Sequence, residues 1–129
     1  MSDPIATVTA FLKDLARRDV KAAERWLAPG FELHIAGHRF DSLASFAAFA
    51  ARRQKFSKKN LGYCDHCHDE NNQDVVYARG TMEGEWLNGE RFADVFWLDR
   101  FQLQGGLIQR LDIVSDMAEY RPPIVQGTG

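Results

Sequence analysis

The second half of the chain, from Leu61 to Asp116, carries strand patterning broken by short turn signals, and this restricts the fold more than any other feature. Strands are predicted over Leu61–His68, Val75–Trp86, Arg91–Leu103 and Leu107–Asp116. Glu70-Asn71-Asn72-Gln73, Asn88-Gly89 and Gly105-Gly106 separate them. Asn88-Gly89 is the strongest of these signals, because a type I′ hairpin turn needs positive φ at both central residues. Connections this short join antiparallel neighbours, so the segment reads as a meander. Gly80 and Gly84 fall inside one strand and predict bulges that bend the sheet.

The first half has the other periodicity. Ile5, Val8, Phe11, Leu12 and Leu15 recur at helical spacing behind Pro4, with Ser2 or Asp3 as the cap. Asp19 caps a short second helix, carrying Val20, Ala23, Trp26 and Leu27, that Pro29-Gly30 stops. Phe31-Glu32-Leu33-His34-Ile35 alternates as a strand ending near Gly37. Asp41 or Ser42 caps a third helix, whose apolar face carries Leu43, Phe46, Ala47, Phe49 and Ala50. Helices placed before a meander indicate the α+β class: three N-terminal helices against a curved antiparallel sheet.

With 129 residues, 45% of them hydrophobic, the chain is long enough for one domain with a core that needs no disulfide. That domain is expected over residues 1–120, with 121–129 as a flexible tail. A net charge of −2 gives no general attraction to nucleic acid or to anionic membranes. No apolar run approaches the roughly 20 residues of a membrane span, and the start does not read as a signal peptide. Cys64 and Cys67 are therefore expected as reduced thiols in a cytoplasmic protein.

The order of elements, with Leu27-Ala28-Pro29-Gly30-Phe31, Asn88-Gly89-Glu90-Arg91-Phe92 and the closing Gly105-Gly106-Leu107-Ile108-Gln109-Arg110-Leu111-Asp112, resembles the nuclear transport factor 2-like superfamily, SnoaL-like group. The resemblance runs from Pro4 to about Tyr120. It implies a cone-shaped domain around a cavity, a small apolar molecule as ligand, and often a homodimer paired through the sheet. It names no reaction, since such folds serve enzymes and binding domains alike.

Three residues fall at positions that the superfamily's enzymes use: His34 as a general base, and Asp99 and Asp112 as acids or oxyanion donors. A histidine suits proton transfer near neutral pH, and a carboxyl in an apolar site stays protonated more readily. Phe11, Leu15, Trp26, Phe49, Trp97 and Phe101 are the candidate pocket wall. The sequence equally allows His34 on a solvated strand face, Asp99 paired with Arg100 or Arg79, and Asp112 on a solvated edge beside Arg110. The first helix lacks the tyrosine of the steroid isomerases, and Arg79-Gly80-Thr81 lacks the carboxylate of the epoxide hydrolases, which argues against both activities.

Cys64-Asp65-His66-Cys67-His68 is expected to hold no metal, because a strand turns Cys67 away from Cys64, His66 and His68. Arg52, Arg53, Lys55, Lys58 and Lys59 read as a solvated helix end. The sequence thus favours a cofactor-free isomerase, cyclase or dehydratase acting on an apolar, carbonyl-bearing molecule. A non-catalytic ligand-binding or dimerisation domain is the alternative.

Overall fold

The structure is a computed structural model and describes residues 3–120. Ser2 as a cap and the expected tail at 121–129 lie outside the described residues. Helix α1 spans Pro4–Ala16, and the Asp3 carboxylate accepts from the Ile5 N–H at 3.0 Å. Helix α2, Val20–Glu24, is capped in the same way by Asp19, and α3, Leu43–Ala51, by Ser42. The strands are β1 (Leu27–Ile35), β2 (His38–Phe40), β3 (Gln54–His68), β4 (Asp74–Trp86), β5 (Arg91–Gln104) and β6 (Leu107–Ser115). A last short helix, α4, covers Met117–Tyr120. Among the described residues no helix is long and apolar enough to cross a membrane.

The strands form one sheet in the order β2-β1-β6-β5-β4-β3. The meander β3–β6 is antiparallel throughout, as the hairpin signals require. β1 joins it in parallel with β6, pairing Leu33 with Leu111 and His34 with Asp112, so the sheet is mixed. Pro29-Gly30 does not stop α2, which ends earlier at Glu24. The pair lies inside β1, where the register with β6 shifts between Leu27 and Glu32 and Gly30 takes φ +79°.

β3 begins at Gln54 rather than Leu61, so Lys55, Lys58 and Lys59 belong to a strand and not to a helix end. The physical reason is that β3 is an edge strand, where lysines are tolerated and hinder pairing with foreign strands. Their charges interrupt the hydrophobic alternation that marks a strand in sequence.

Gly80 and Gly84 act differently from the bulges expected of them. The extra residues sit on the neighbouring strands, at Gly62 of β3 and near Asp94 of β5, where φ is +58°. The glycines let those strands close in. A methyl at Gly80 would overlap the Asn60 carbonyl oxygen and lie 2.9 Å from the Gly62 nitrogen; at Gly84 it would overlap the Phe56 carbonyl oxygen.

The helices cover one face of the sheet, through α1 on β3 and β4 and α3 on β3. Beneath them Val8, Phe11, Leu33, Val76, Trp97 and Phe101 are wholly buried. The α1–α2 corner is locked by Asp14, which is 1% exposed. Its carboxylate accepts from the Trp26 indole N–H at 2.9 Å, from Arg25 at 3.3 Å and from Arg17.

Because backbone atoms rather than flexible side chains meet a methyl at Gly80, Gly80→Ala is expected to cost about 3 kcal/mol or more in urea unfolding. Asp14 gives a pH-dependent expectation. The Trp26 hydrogen bond, followed by the two arginines, holds its carboxyl below the usual range. Its stabilisation is therefore complete above the unfolded carboxyl's pKa, about 3.9, and is lost as pH falls through the lower folded value. Asp14→Asn should lower the thermal midpoint by several degrees at pH 7, and the gap to the parent should narrow at pH 3.

Candidate functional site

Alternation along β5 sorts its side chains onto two faces. Val95, Trp97, Asp99, Phe101 and Leu103 are buried toward the helices, whereas Phe96, Leu98, Arg100 and Gln102 turn outward and are only partly covered. Asp99 is thus a carboxylate at the centre of an apolar face, flanked in register by Ala78 of β4 and Ile113 of β6. Its side chain is 0% exposed.

Lys59 reaches Asp99 from the edge strand. Its Nζ lies 2.6 Å from Asp99 Oδ2 and 4.6 Å from the centre of the Trp97 ring, with its own side chain 29% exposed. Trp97 is held in turn by its indole N–H, which donates to the Thr81 carbonyl at 2.8 Å. The other oxygen, Asp99 Oδ1, is buried and has no hydrogen-bond partner among the described residues. Burial pushes the Asp99 carboxyl above its usual range, and the Lys59 ammonium only partly offsets this. The pair joins an ammonium donor to a buried carboxyl whose pKa burial raises. Asp99 therefore pairs with neither Arg100 nor Arg79.

His34 and Asp112 occupy the opposite face. Leu33 and Ile35 of β1 join the helix-covered core, so His34 turns outward, next to Asp112 in register. His34 Nε2 lies 2.9 Å from Glu32 Oε1, and Arg39 Nε donates to the same oxygen at 3.0 Å. Arg39, then His34, holds the Glu32 carboxyl down at about 2. Asp112 accepts a forked pair of bonds from Arg110 at 2.9 and 3.1 Å. The structure therefore joins His34 with Asp112 in an outer charged band and separates both from Asp99. Of the two aspartates expected to act with His34, Asp112 lies beside it and Asp99 lies on the other face.

The expected pocket wall divides as well. Phe11, Trp97 and Phe101 surround the Asp99 level of the core, with Phe11 and Phe101 edge to face at 5.8 Å, and Leu15 packs at its margin. Trp26 spends its indole N–H on Asp14. Phe49 stacks in a separate cluster with His38, Phe40 and Phe46, under the Arg53 guanidinium at 3.7 Å. A shallow hollow of about 180 Å³, lined by Phe56, Glu83, Gly84, Arg91, Phe92 and Ala93, lies near the β4–β5 turn and away from Asp99.

Lys59 was missed in the sequence. Its signal is the register: once Asn88-Gly89 sets β4 against β5 and the edge strand is carried back to Gln54, Lys59 falls opposite Met82, on the core side.

No family model matches the chain, and no curated protein matches it by sequence. Solved structures do match. An NTF2-like protein of unknown function from Burkholderia pseudomallei is 16% identical, covering 93% of this chain and 95% of its own, with a TM-score of 0.77. TerC, crystallised with polyporic acid, is 14% identical over 91% of this chain and 94% of its own, with a TM-score of 0.72. A "putative polyketide cyclase" from Xanthomonas campestris is 20% identical over 92% and 93%, with a TM-score of 0.71. Agreement over nearly the full length of both chains gives this protein the nuclear transport factor 2-like fold, shared with proteins named as "putative polyketide cyclase".

Proposed function

We propose that the chain binds a small, mostly apolar molecule bearing a carbonyl on the helix-covered face of its sheet, and moves a proton on it without a cofactor. The observation that carries this reading is the buried Asp99 carboxyl, with one oxygen on Lys59 and the other unpartnered. A buried oxygen without a donor costs stability, which a ligand's hydroxyl or acidic C–H would relieve. The match to a protein crystallised with polyporic acid and to proteins assigned as cyclases supports the same class of guest.

In this reading the roles are as follows. Lys59 Nζ donates to the substrate carbonyl and stabilises the oxyanion that forms as an adjacent carbon loses its proton. Asp99 takes that proton as general base and returns it at another atom, which gives isomerisation, cyclisation or dehydration according to the substrate. Phe11, Trp97 and Phe101 hold the site dry, where such interactions are strongest. His34 and Asp112 take no part in this chemistry.

Exchange of α-protons from 2-tetralone in D2O, followed by proton NMR, reads this step without knowledge of the natural substrate. The parent should accelerate exchange over buffer, Asp99→Asn should lose at least about 100-fold, and His34→Ala should leave the rate unchanged. Equal rates in Asp99→Asn and the parent would contradict the assignment. Binding of the ketone without exchange would instead favour a non-catalytic ligand-binding domain.

The outer face suits a second copy of the chain. Val114 is 59% and Tyr63 53% exposed there, beside Phe96, with the Arg79 guanidinium over both aromatic rings at 5.0 and 5.3 Å. These three apolar side chains lie together on a free sheet face, and a homodimer would cover them. Light scattering should give a dimer for the parent and a monomer for Val114→Glu; a monomeric parent would refute the pairing.

A further inference from the structure

We propose that His66, His68 and Asp74, at the turn end of the β3–β4 hairpin, form a binding site for a divalent transition ion of the Zn2+ type. One strand cannot supply this set, and the hairpin completes it. His66 and His68 share a face of β3 at the two-residue spacing, and the register sets Asp74 of β4 directly opposite His68. Both imidazoles turn their Nε2 atoms to the same carboxylate oxygen, Asp74 Oδ1, at 2.7 Å from His66 and 3.2 Å from His68. The three donor atoms all lie within 4.8 Å of one another.

A tetrahedral ion with bonds of about 2.0–2.1 Å needs its ligand atoms about 3.3 Å apart, so the His66–Asp74 contact would open by roughly half an ångström while the two imidazole nitrogens settle at the same spacing. Two imidazoles and a carboxylate are donors that zinc accepts, and three protein ligands leave a position for water. Exposure agrees: the His66, His68 and Asp74 side chains are 32%, 54% and 40% exposed, so solvent reaches the fourth position. Among the described ion pairs, Asp74 has no lysine or arginine partner and meets only these two histidines.

The turn holds the ligands in place beforehand. The Asp69 carboxylate accepts from the Asn71 and Gln73 N–H groups at 2.8 and 3.0 Å, and the Asp69 N–H donates to the Gln73 carbonyl at 3.0 Å. Gln73 is further tied to Gln102 of β5. These bonds fix where Asp74 enters its strand. The neighbouring cysteines stand apart: Cys67 is on the other face, and Cys64 is drawn toward α1, where burial raises its thiol pKa.

Calorimetric titration of Zn2+ into the tag-free full chain tests the site. One ion per chain should bind, with affinity reduced at least about tenfold in each of His66→Ala, His68→Ala and Asp74→Ala. The Cys64→Ser/Cys67→Ser double variant should bind like the parent. The His66 and His68 imidazole signals should shift in NMR as Zn2+ is added, with His34 and His38 unmoved. These side chains are exposed, so each variant's metal-free melting curve should match the parent's. Absence of saturable binding below about 1 mM Zn2+, retention of affinity in the histidine variants, or loss of it in the cysteine pair would overturn the proposal.

Discussion

The pleat of the sheet assigns every polar residue of the central strands to one of two environments, and the rest of the structure follows from that division. Helices α1 and α3 cover one face, so whatever points there must be apolar or held by specific partners. On β5 the consequence is sharp: neighbours in sequence, Asp99 and Arg100, meet opposite conditions. Arg100 lies 3.9 Å from Asp112 in the outer band, whereas Asp99 is enclosed by Phe101, Trp97 and Ile113 with Lys59 as its counter-ion. A displacement of one residue in any strand would exchange the two faces and dismantle the site.

Keeping a carboxylate in that core is expensive. Removing an ion from water costs several kcal/mol even after relaxation, and one ammonium at the margin returns only part of it. A chain selected for stability alone would place an apolar residue at position 99. The proposed function gives Asp99 a reason to stand there, with one oxygen lacking a donor among the described residues and open to a ligand. The glycines of β4 contribute by geometry. Gly80 pairs with Trp97, and because it carries no side chain, β3 and its bulge close over β4 at that level.

The fold was legible in the sequence because its determinants are local. Asp3, Asp19 and Ser42 announce helix starts, and Asn88-Gly89 and Gly105-Gly106 announce turns, by chemistry that needs only a few neighbouring residues. The site was only partly legible. The apolar neighbours of Asp99 were visible from alternation, but Lys59 is forty residues away and hidden in a basic run that a solvated helix end explained equally well. His34 looked promising by position, yet Leu33 and Ile35 claim the core side of β1 and turn it outward. The His66, His68 and Asp74 group escaped for a related reason, since the third donor comes from across a hairpin. The parallel pairing of β1 with β6 likewise depends on how distant segments dock, which no local pattern encodes.

In the proposed function, Asp99 and Lys59 form the polar centre of a buried small-molecule site. Carbon-13 NMR titration of the Asp99 carboxyl, with and without 2-tetralone, addresses it most directly. The midpoint is expected above the ordinary aspartate range, raised by burial, with a further displacement when the ketone is added. A carboxyl that titrates in the ordinary range and ignores the ketone would contradict it.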